Sequence, residues 1–388
     1  VIITTSDDYI LDFCNNYCKS RNISFRVDKD KRTKNTHKII FKNFGWFFEK
    51  YKIKRCLSYY KNIPFCIRTA NFESQKRFIS GLFDTDGGVD GGGVSFCSTS
   101  YDLIKESQLM LLNIGIVTKI RTKKTKSKFG HAFILYMFSY DAKLFMDKIG
   151  FSLERKQKKL TEYFETKKLN PNRDIIPYVK DLCITKKFSS RQNLTYLSLD
   201  KYINDSYAAL EDFKDILGKH YFFDVVKSIE PWSGDCYDFQ MDTIEEPNYF
   251  ANGFISHNTF MLATLATLSC LLYPGYRVGL IAPVFRQSFA MITDSYNVFW
   301  TSEGLSSDTE KFYNYIQPGF TQIQSLHSQN TILSKWKNDD RACRYIKTTK
   351  NFELAGTVDH SILVLNDSLK LEFKDLQDIK DEYIAIKG

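Results

Sequence analysis

Two stretches of the chain share one pattern of apolar and polar positions. Ile2 to Val27 reads as a strand, a Thr-Ser pair, an amphipathic helix and a second strand, and Val94 to Ile120 reads the same way. In each, the Thr-Ser pair can cap the helix that follows. Each stretch continues through a basic, hairpin-like segment into a further strand, at Lys38 to Lys42 and at Ala132 to Ser139. Short helices near Trp46 to Tyr51 and Ala142 to Ile149 close the two units. The pattern predicts two αββαββ-like units packed as a pseudo-dimer. Between them "FISGLFDTDGG", Phe78 to Gly88, predicts a helix with a close-packing Gly81 that ends on Asp84, Asp86 and Gly87. Asn170 to Leu182, punctuated by Pro and Asn, predicts a linker into a small helical extension reaching about Leu217. From His220 the period shifts to alternation, predicting short strands broken by Pro231, Gly234 and a Glu-Glu-Pro turn.

Composition narrows the class. The 388 residues exceed one comfortable core, and 43% hydrophobic with 26% charged content describes an ordinary folded chain. The net charge is +9. Its distribution is more informative: between Thr118 and Phe129 lie Lys119, Arg121, Lys123, Lys124, Lys126 and Lys128 with no acid, and Arg155 to Lys159 adds a second run. Such runs fit either a solvated face or contacts to a phosphate backbone. Nine cysteines without paired spacing suggest a reducing compartment, expected to be the cytoplasm. Cys14 and Cys18 are an i,i+4 pair read as helix packing rather than zinc ligation. The longest apolar run, Thr259 to Tyr273, is too short to span a bilayer, so no membrane partner is expected.

The acidic helix carries the chemistry. Carboxylates at the C-terminal ends of two closely packed helices repel each other and the helix dipole, and a metal ion offsets both. A single acidic helix end alone is equally a solvated cap. "ISGLFDTDG", Ile79 to Gly87, resembles the second motif of the LAGLIDADG homing endonucleases. "KNIPFCI", Lys61 to Ile67, resembles that family's Lys-x-Ile-Pro block, and Thr99 to Ile116 its following helix block. The resemblance covers about residues 1–160. It implies a saddle of antiparallel strands in the DNA major groove, one Mg²⁺-binding carboxylate per motif, and two-metal hydrolysis of the phosphodiester backbone of double-stranded DNA. Asp86 falls at the metal-carboxylate position and Asp84 flanks it. Lys61 would polarise water or the scissile phosphate, or is a surface lysine before a turn proline. The chain opens at Val1 in mid-strand, which suggests a fragment whose first motif lies upstream. Residues 1–388 alone are then expected to bind divalent metal poorly and to cut DNA weakly.

A second chemistry sits at His257-Asn258-Thr259, where a strand meets a helix-like run with no turn residues between them. An Asn side-chain amide can attack its own backbone carbonyl and release the next residue. A neighbouring imidazole assists such a step by roughly 10²–10⁴-fold, and the Thr259 hydroxyl can accept an acyl group. The tripeptide is also compatible with a helix N-cap. Tyr237 to Thr259 resembles the two C-terminal splicing blocks of an intein, with Pro247-Asn248 where the family often has a His. Thr259 to Ser288 resembles a phage terminase large subunit just after its P-loop, which implies a host (extein) segment at 259–301 joined in cis. No P-loop lysine precedes Thr259, so ATP binding is not expected. Ser302 to Trp336 and Arg344 to Leu365 resemble the N-terminal blocks of another intein. Thr357-x-x-His360 matches its Thr-x-x-His block, His360 being otherwise a strand histidine beside Asp359. Ser302, or failing that Ser288, would be the first residue.

The expected fold class is α+β: a LAGLIDADG αββαββα pseudo-repeat domain at 1–160, a linker and helical extension at 161–218, and an all-β Hint (hedgehog/intein) domain. The Hint domain is assembled from two separated segments, 219–258 and 302–388, closing in cis around 259–301. The expected function is intein splicing, cleaving the Asn258-Thr259 bond with no cofactor, with a nested Mg²⁺-dependent DNA endonuclease, as a monomer in a bacterial or phage-infected cell. The rivals are a DNA-binding module without catalysis and a terminase ATPase fragment.

Overall fold

A computed structural model describes residues 1–29, 35–91, 93–125, 130–166, 175–178, 195–196, 216, 221–241, 248–257, 313–314, 316–324 and 329–387. They form two compact units, Val1–Asn170 and Pro171–Gly388.

The first unit opens with β1 (Ile2–Thr5), α1 (Asp8–Ser20), β2 (Phe25–Lys29), β3 (His37–Phe41) and α2 (Gly45–Lys50). After the short α3 (Phe65–Arg68) come α4 (Phe72–Asp86), β4 (Gly87–Asp90) and β5 (Gly93–Ser98). Then follow α5 (Tyr101–Asn113), β6 (Lys119–Lys124), β7 (His131–Phe138), α6 (Ser139–Lys148) and α7 (Glu154–Thr166). The sheets have the orders β1-β3-β2 and β4-β5-β7-β6, antiparallel throughout. The run β1-α1-β2-β3-α2 therefore has the connectivity of β5-α5-β6-β7-α6, and β1-β3-β2 has the order of β5-β7-β6. The repeated periodicity in the sequence is a repeat of structure.

The two cores differ in size. In the second repeat the apolar face of α4 places Ile79 and Phe83, both fully buried, against Phe96, Ile104, Leu135 and Phe145. Burial of side chains this large contributes about 1.5–3 kcal/mol each. The first repeat packs Cys14 and Cys18 of α1 on Ile39 and Phe41 of β3, so both thiols are core groups. Capping also differs. Ser100 caps α5 through its hydroxyl, which accepts from the Leu103 amide at 3.2 Å. At α1 the expected Thr-Ser cap is absent: the N-cap is Asp7, whose side chain makes no capping bond, and Thr5 accepts from the Asp7 amide instead.

In the second unit the strands are β8 (Phe222–Met241), β9 (Asn248–Ala251), β10 (Phe254–His257), β11 (Gln322–Gln324), β12 (Gln329–Thr348), β13 (Glu353–Thr357), β14 (Ser361–Leu365), β15 (Leu371–Asp375) and β16 (Tyr383–Ile386). They form one nine-stranded sheet. Residues 222–257 and 322–386 interleave in it: β8 pairs with β12 and β16, and β10 with β14 and β16. Asn252 and Gly253, both at positive φ, make the tight turn from β9 to β10. The core gathers Tyr221, Phe223, Ile255, Leu363, Leu365 and Ala385, joined by Ile176, Tyr196 and Ile216 from the stretch read as linker and helical extension.

Two expectations need correction. β8 is a single strand of 20 residues, not short pieces broken at Pro231 and Gly234. Its ladder with the equally long β12 continues past both, and a register shift opposite Gly234 absorbs the irregularity. At Pro231 the described ladder lies on one side only, so a missing N–H is tolerated as on an edge strand. The boundary expected at residue 160 also falls inside α7.

Candidate functional site

Alternation along β6 and β7 separates a core face from an open one. Ile120 and Leu135 face the core as a pair. The neighbouring pairs Lys119–Tyr136, Arg121–Ile134 and Lys123–Ala132 then lie on the other face, where all three basic residues are exposed. The Arg121 guanidinium carbon sits 5.0 and 5.2 Å from the ring centres of Tyr136 and Phe138. Those rings stack 5.5 Å apart at 13°. Such cation–π contacts hold a charged head in one orientation. Lys124 is exposed at the strand end, while Lys126 and Lys128 lie outside the described residues.

The acidic helix end adjoins this face. Asn71 caps the start of α4 by accepting from the Ser74 amide at 2.9 Å, and Gly87 ends it. A Cβ on Gly87 would stand 2.6 Å from the Phe83 carbonyl oxygen, so the turn after Asp86 excludes a side chain. Asp86 is exposed. On β5, partial desolvation raises the pKa of the surface thiol of Cys97; the Lys123 charge lowers it and the Asp86 charge raises it. One position on the sheet thus senses both the acid and the basic strand.

Asp84 is tied to the backbone that leads into α7. It is 8% exposed, and its Oδ1 accepts from the amides of Ser152 and Leu153 at 3.1 and 3.2 Å. It therefore anchors the start of α7. Lys156, 9% exposed, answers from α7: its amine donates to the carbonyls of Phe83 (3.0 Å), Asp84 (2.7 Å) and Gly87 (2.6 Å), with Thr85 at 3.5 Å. Burial pushes this lysine's pKa down, Arg155 adds to that, and Asp84, Asp7 and Asp86 oppose it. Next to it Arg155 forks onto Asp7 of the first repeat at 2.9 and 3.0 Å. These two basic residues were read from sequence as part of an open charge run. No local signal separates them from Lys158 and Lys159, because their partners lie about 70 and 148 residues away.

Lys61 is exposed, and its backbone is fixed from α5, where the Ser100 hydroxyl donates to the Lys61 carbonyl. The adjoining Ile63 amide donates to the Glu106 carboxylate. Gly81 is exposed, with open space where a Cβ would stand. Among the described residues no group of three or more His, Cys, Asp or Glu is arranged to hold a metal. The exposed Asp86 carboxylate beside a basic sheet still suits Mg²⁺, which commonly takes one or two carboxylates and completes its shell with substrate phosphates and water.

In the second unit Thr357 and His360 meet in a tight turn, the His360 amide donating to the Thr357 carbonyl at 3.0 Å. His360 is 2% exposed, and its Nε2 shares a 3.0 Å hydrogen bond with the Ser256 hydroxyl. The Thr357 hydroxyl is buried with no hydrogen-bond partner among the described residues. In the ladder His257 lies opposite Ser361, which brings the end of β10 beside the start of β14. Asn258, Thr259, Ser302 and the whole of 259–301 lie outside the described residues.

Residues 73–150 match the family model of the LAGLIDADG-like domain. These residues span α4 to α6, and the match stops short of α7. The chain is also similar to the replication factor C small subunit of Methanocaldococcus jannaschii, 29% identical over 160 residues, covering 37% of this chain and 8% of that protein. It resembles the replicative DNA helicase DnaB of Rhodothermus marinus, 23% identical over 234 residues, covering 52% and 25%. The chain thus spans a quarter or less of these relatives. A solved structure of the homing endonuclease I-DmoI in complex with DNA and Ca overlaps 42% of this chain and 82% of its own, at 15% identity and a TM-score of 0.32.

Proposed function

We propose that the first unit is a divalent-metal-dependent endonuclease acting on double-stranded DNA. The observation that carries this is the exposed Asp86 at the end of α4, adjoining the open sheet face that presents Lys119, Arg121 and Lys123. The match of residues 73–150 to the LAGLIDADG-like domain supports it. On this reading the three basic residues bind the phosphate backbone, and Arg121, held by two rings, reads a base edge. Asp86 holds Mg²⁺, which would supply the positive charge at the scissile phosphate. Lys61 polarises the attacking water, and the open face of α4 around Gly81 receives the companion acidic helix. Asp84 is left out of the metal shell. The test is duplex binding measured over a salt series, where each phosphate contact removed should flatten the slope by about one. Equal slopes for the unmodified protein and a Lys119/Lys123 charge-removal variant would count against this interface.

A second reading, DNA binding without cleavage, is favoured by the exposed Lys119, Arg121 and Lys123, whose phosphate contacts need no metal.

For the second unit we infer a protein-splicing fold of the Hint type, in which residues 222–257 and 322–386 act as complementary halves. Their pairing in one sheet and the meeting of Ser256 with His360 support this. A replication factor and a helicase, differently named, match the chain through 8% and 25% of their lengths, as a module nested in different hosts would. Asn258 would cyclise with help from His257, Thr259 would be the acyl acceptor, and His360 with Thr357 would promote the acyl shift at Ser302. Residues 259–301 would be terminase-like host sequence, excised as a circle. Asn258→Ala should abolish cleavage of the 258–259 bond; an intact bond in the unmodified chain under splicing conditions would count against the activity. The setting we would expect is the cytoplasm of a bacterial or phage-infected cell.

A further inference from the structure

The carbonyls on both sides of Asp86 are tied to a single ammonium group. Lys156 donates to Asp84 and Gly87 at 2.7 and 2.6 Å, and to Phe83 one turn earlier at 3.0 Å. An ammonium has three donors, and these bonds, with the longer one to Thr85 at 3.5 Å, occupy all of them. The C-terminal end of a helix leaves carbonyls unpaired and carries partial negative charge, and Asp86 adds a full negative charge at the same point. Without a cation there, the last turn would fray and the carboxylate would have no fixed direction. Lys156 can serve because its helix is held in return. The Asp84 carboxylate takes the Ser152 and Leu153 amides at the start of α7, the Ser80 hydroxyl donates to the Gly150 carbonyl, and Arg155 pairs with Asp7. The end of α4 and the beginning of α7 thus cap each other. α7 and Lys156 lie beyond residues 73–150, the segment that matches the LAGLIDADG-like domain.

We propose that Lys156, supplied by this appended helix, is the positioning residue for the Asp86 carboxylate. The inference rests on the reading of Asp86 as a metal carboxylate at a DNA-binding face. A second carbonyl-binding cation is not required there: Lys156 stands beneath the turn and leaves the exposed Asp86 oxygens to the metal. The group acts through the backbone of residues 83–87 and does not touch DNA.

The test measures how far Ca²⁺, which supports binding without a cleavage readout, tightens the full chain on one duplex chosen from a random-sequence selection. The readout is the ratio of affinities in Ca²⁺ and in EDTA. Coupling between two ligands of one protein is typically about 5- to 150-fold. The unmodified protein should fall in that range, and Asp86→Asn should bring the ratio to about one, marking the part of the coupling that the carboxylate carries. Lys156→Met should approach the Asp86→Asn ratio while its far-ultraviolet spectrum stays native, and Lys156→Arg, which keeps donors for the same carbonyls, should recover part of it. A merely structural lysine would lower the melting temperature and leave the ratio alone. Should Lys156→Met fail to fold, Asp84→Asn loosens the same clamp from its other half and is expected to lower the ratio likewise. A Lys156→Met ratio equal to that of the unmodified protein, with Asp86→Asn at one, overturns the role of Lys156. A ratio of one in the unmodified protein overturns the reading of Asp86 beneath it.

Discussion

Ser256 and His360, 104 residues apart in sequence, share a 3.0 Å hydrogen bond in the core of the second unit. Ser256 comes from the strand before residues 259–301 and His360 from the segment after them. Both are buried, so the contact forms only when the two parts of the sheet close on each other. Ser256→Ala would remove this buried hydrogen bond, at a cost of about 0.5–1.5 kcal/mol. A double-mutant cycle with His360→Ala should return a coupling energy of about 0.5–3 kcal/mol in chemical unfolding, and additive effects would show that the pair does not interact.

The same pairing predicts behaviour after a cut. With a protease site placed inside residues 259–301 and cleaved in native buffer, the two products should co-elute in gel filtration. The ladder of β8 with β12 alone runs from Val226 to Met241 on one strand and from Ile332 to Thr348 on the other. Separation of the products without denaturant would mean that the interleaved sheet is not the stable state.

Asp84 and Asp86 should part company on substitution. Asp84→Ala removes the acceptor for two backbone amides, the one at Leu153 buried, and is expected to cost about 1–3 kcal/mol. Asp86→Ala, at an exposed helix end with its own charge unfavourable to the dipole, should be neutral or slightly stabilising, within about 0.5 kcal/mol. Thermal melts of the two variants check this, and a reversed order would contradict the assignment of the buried carboxylate to structure.

The fork of Arg155 on Asp7 holds the Asp7 carboxyl below its usual range. A depressed carboxyl pKa stabilises the folded state above the unfolded value and loses that contribution as pH falls through the folded one. The Arg155 side chain is 61% exposed, which limits the pair to about 1 kcal/mol or less. Asp7→Asn should therefore be slightly less stable than the unmodified protein at neutral pH. The difference should close below about pH 3.9, the ordinary carboxylate value, as Asp7 protonates. A gap that persists there would assign the effect to something other than this ion pair.

The repeat was legible because a 3.6-residue period flanked by alternating strands leaves little freedom of reading, and the same pattern occurs at Ile2–Val27 and Val94–Ile120. The acidic helix end was legible as a motif, with Asp86 at the metal-carboxylate position and Asp84 beside it, but the burial of Asp84 was not. What separates Asp84 from Asp86 is the position of the Ser152 and Leu153 amides, nearly 70 residues downstream. Lys156 was hidden for the same reason, a buried ammonium inside a run that looks like solvated charge. The 20-residue strand β8 was read as short pieces because Pro231 and Gly234 are breakers locally, and only the partner strand β12 shows that the ladder continues. Pairing of the segments flanking 259–301 was expected from their complementary resemblance to intein halves, and strand register supplies the physical contact.

The most direct measurement incubates the full chain with a random-sequence duplex library in Mg²⁺ and maps new DNA ends by sequencing, alongside Asp86→Asn. Sparse ends at a recurrent sequence that depend on Mg²⁺ and vanish with Asp86→Asn are the predicted result; ends produced equally by both proteins would contradict it.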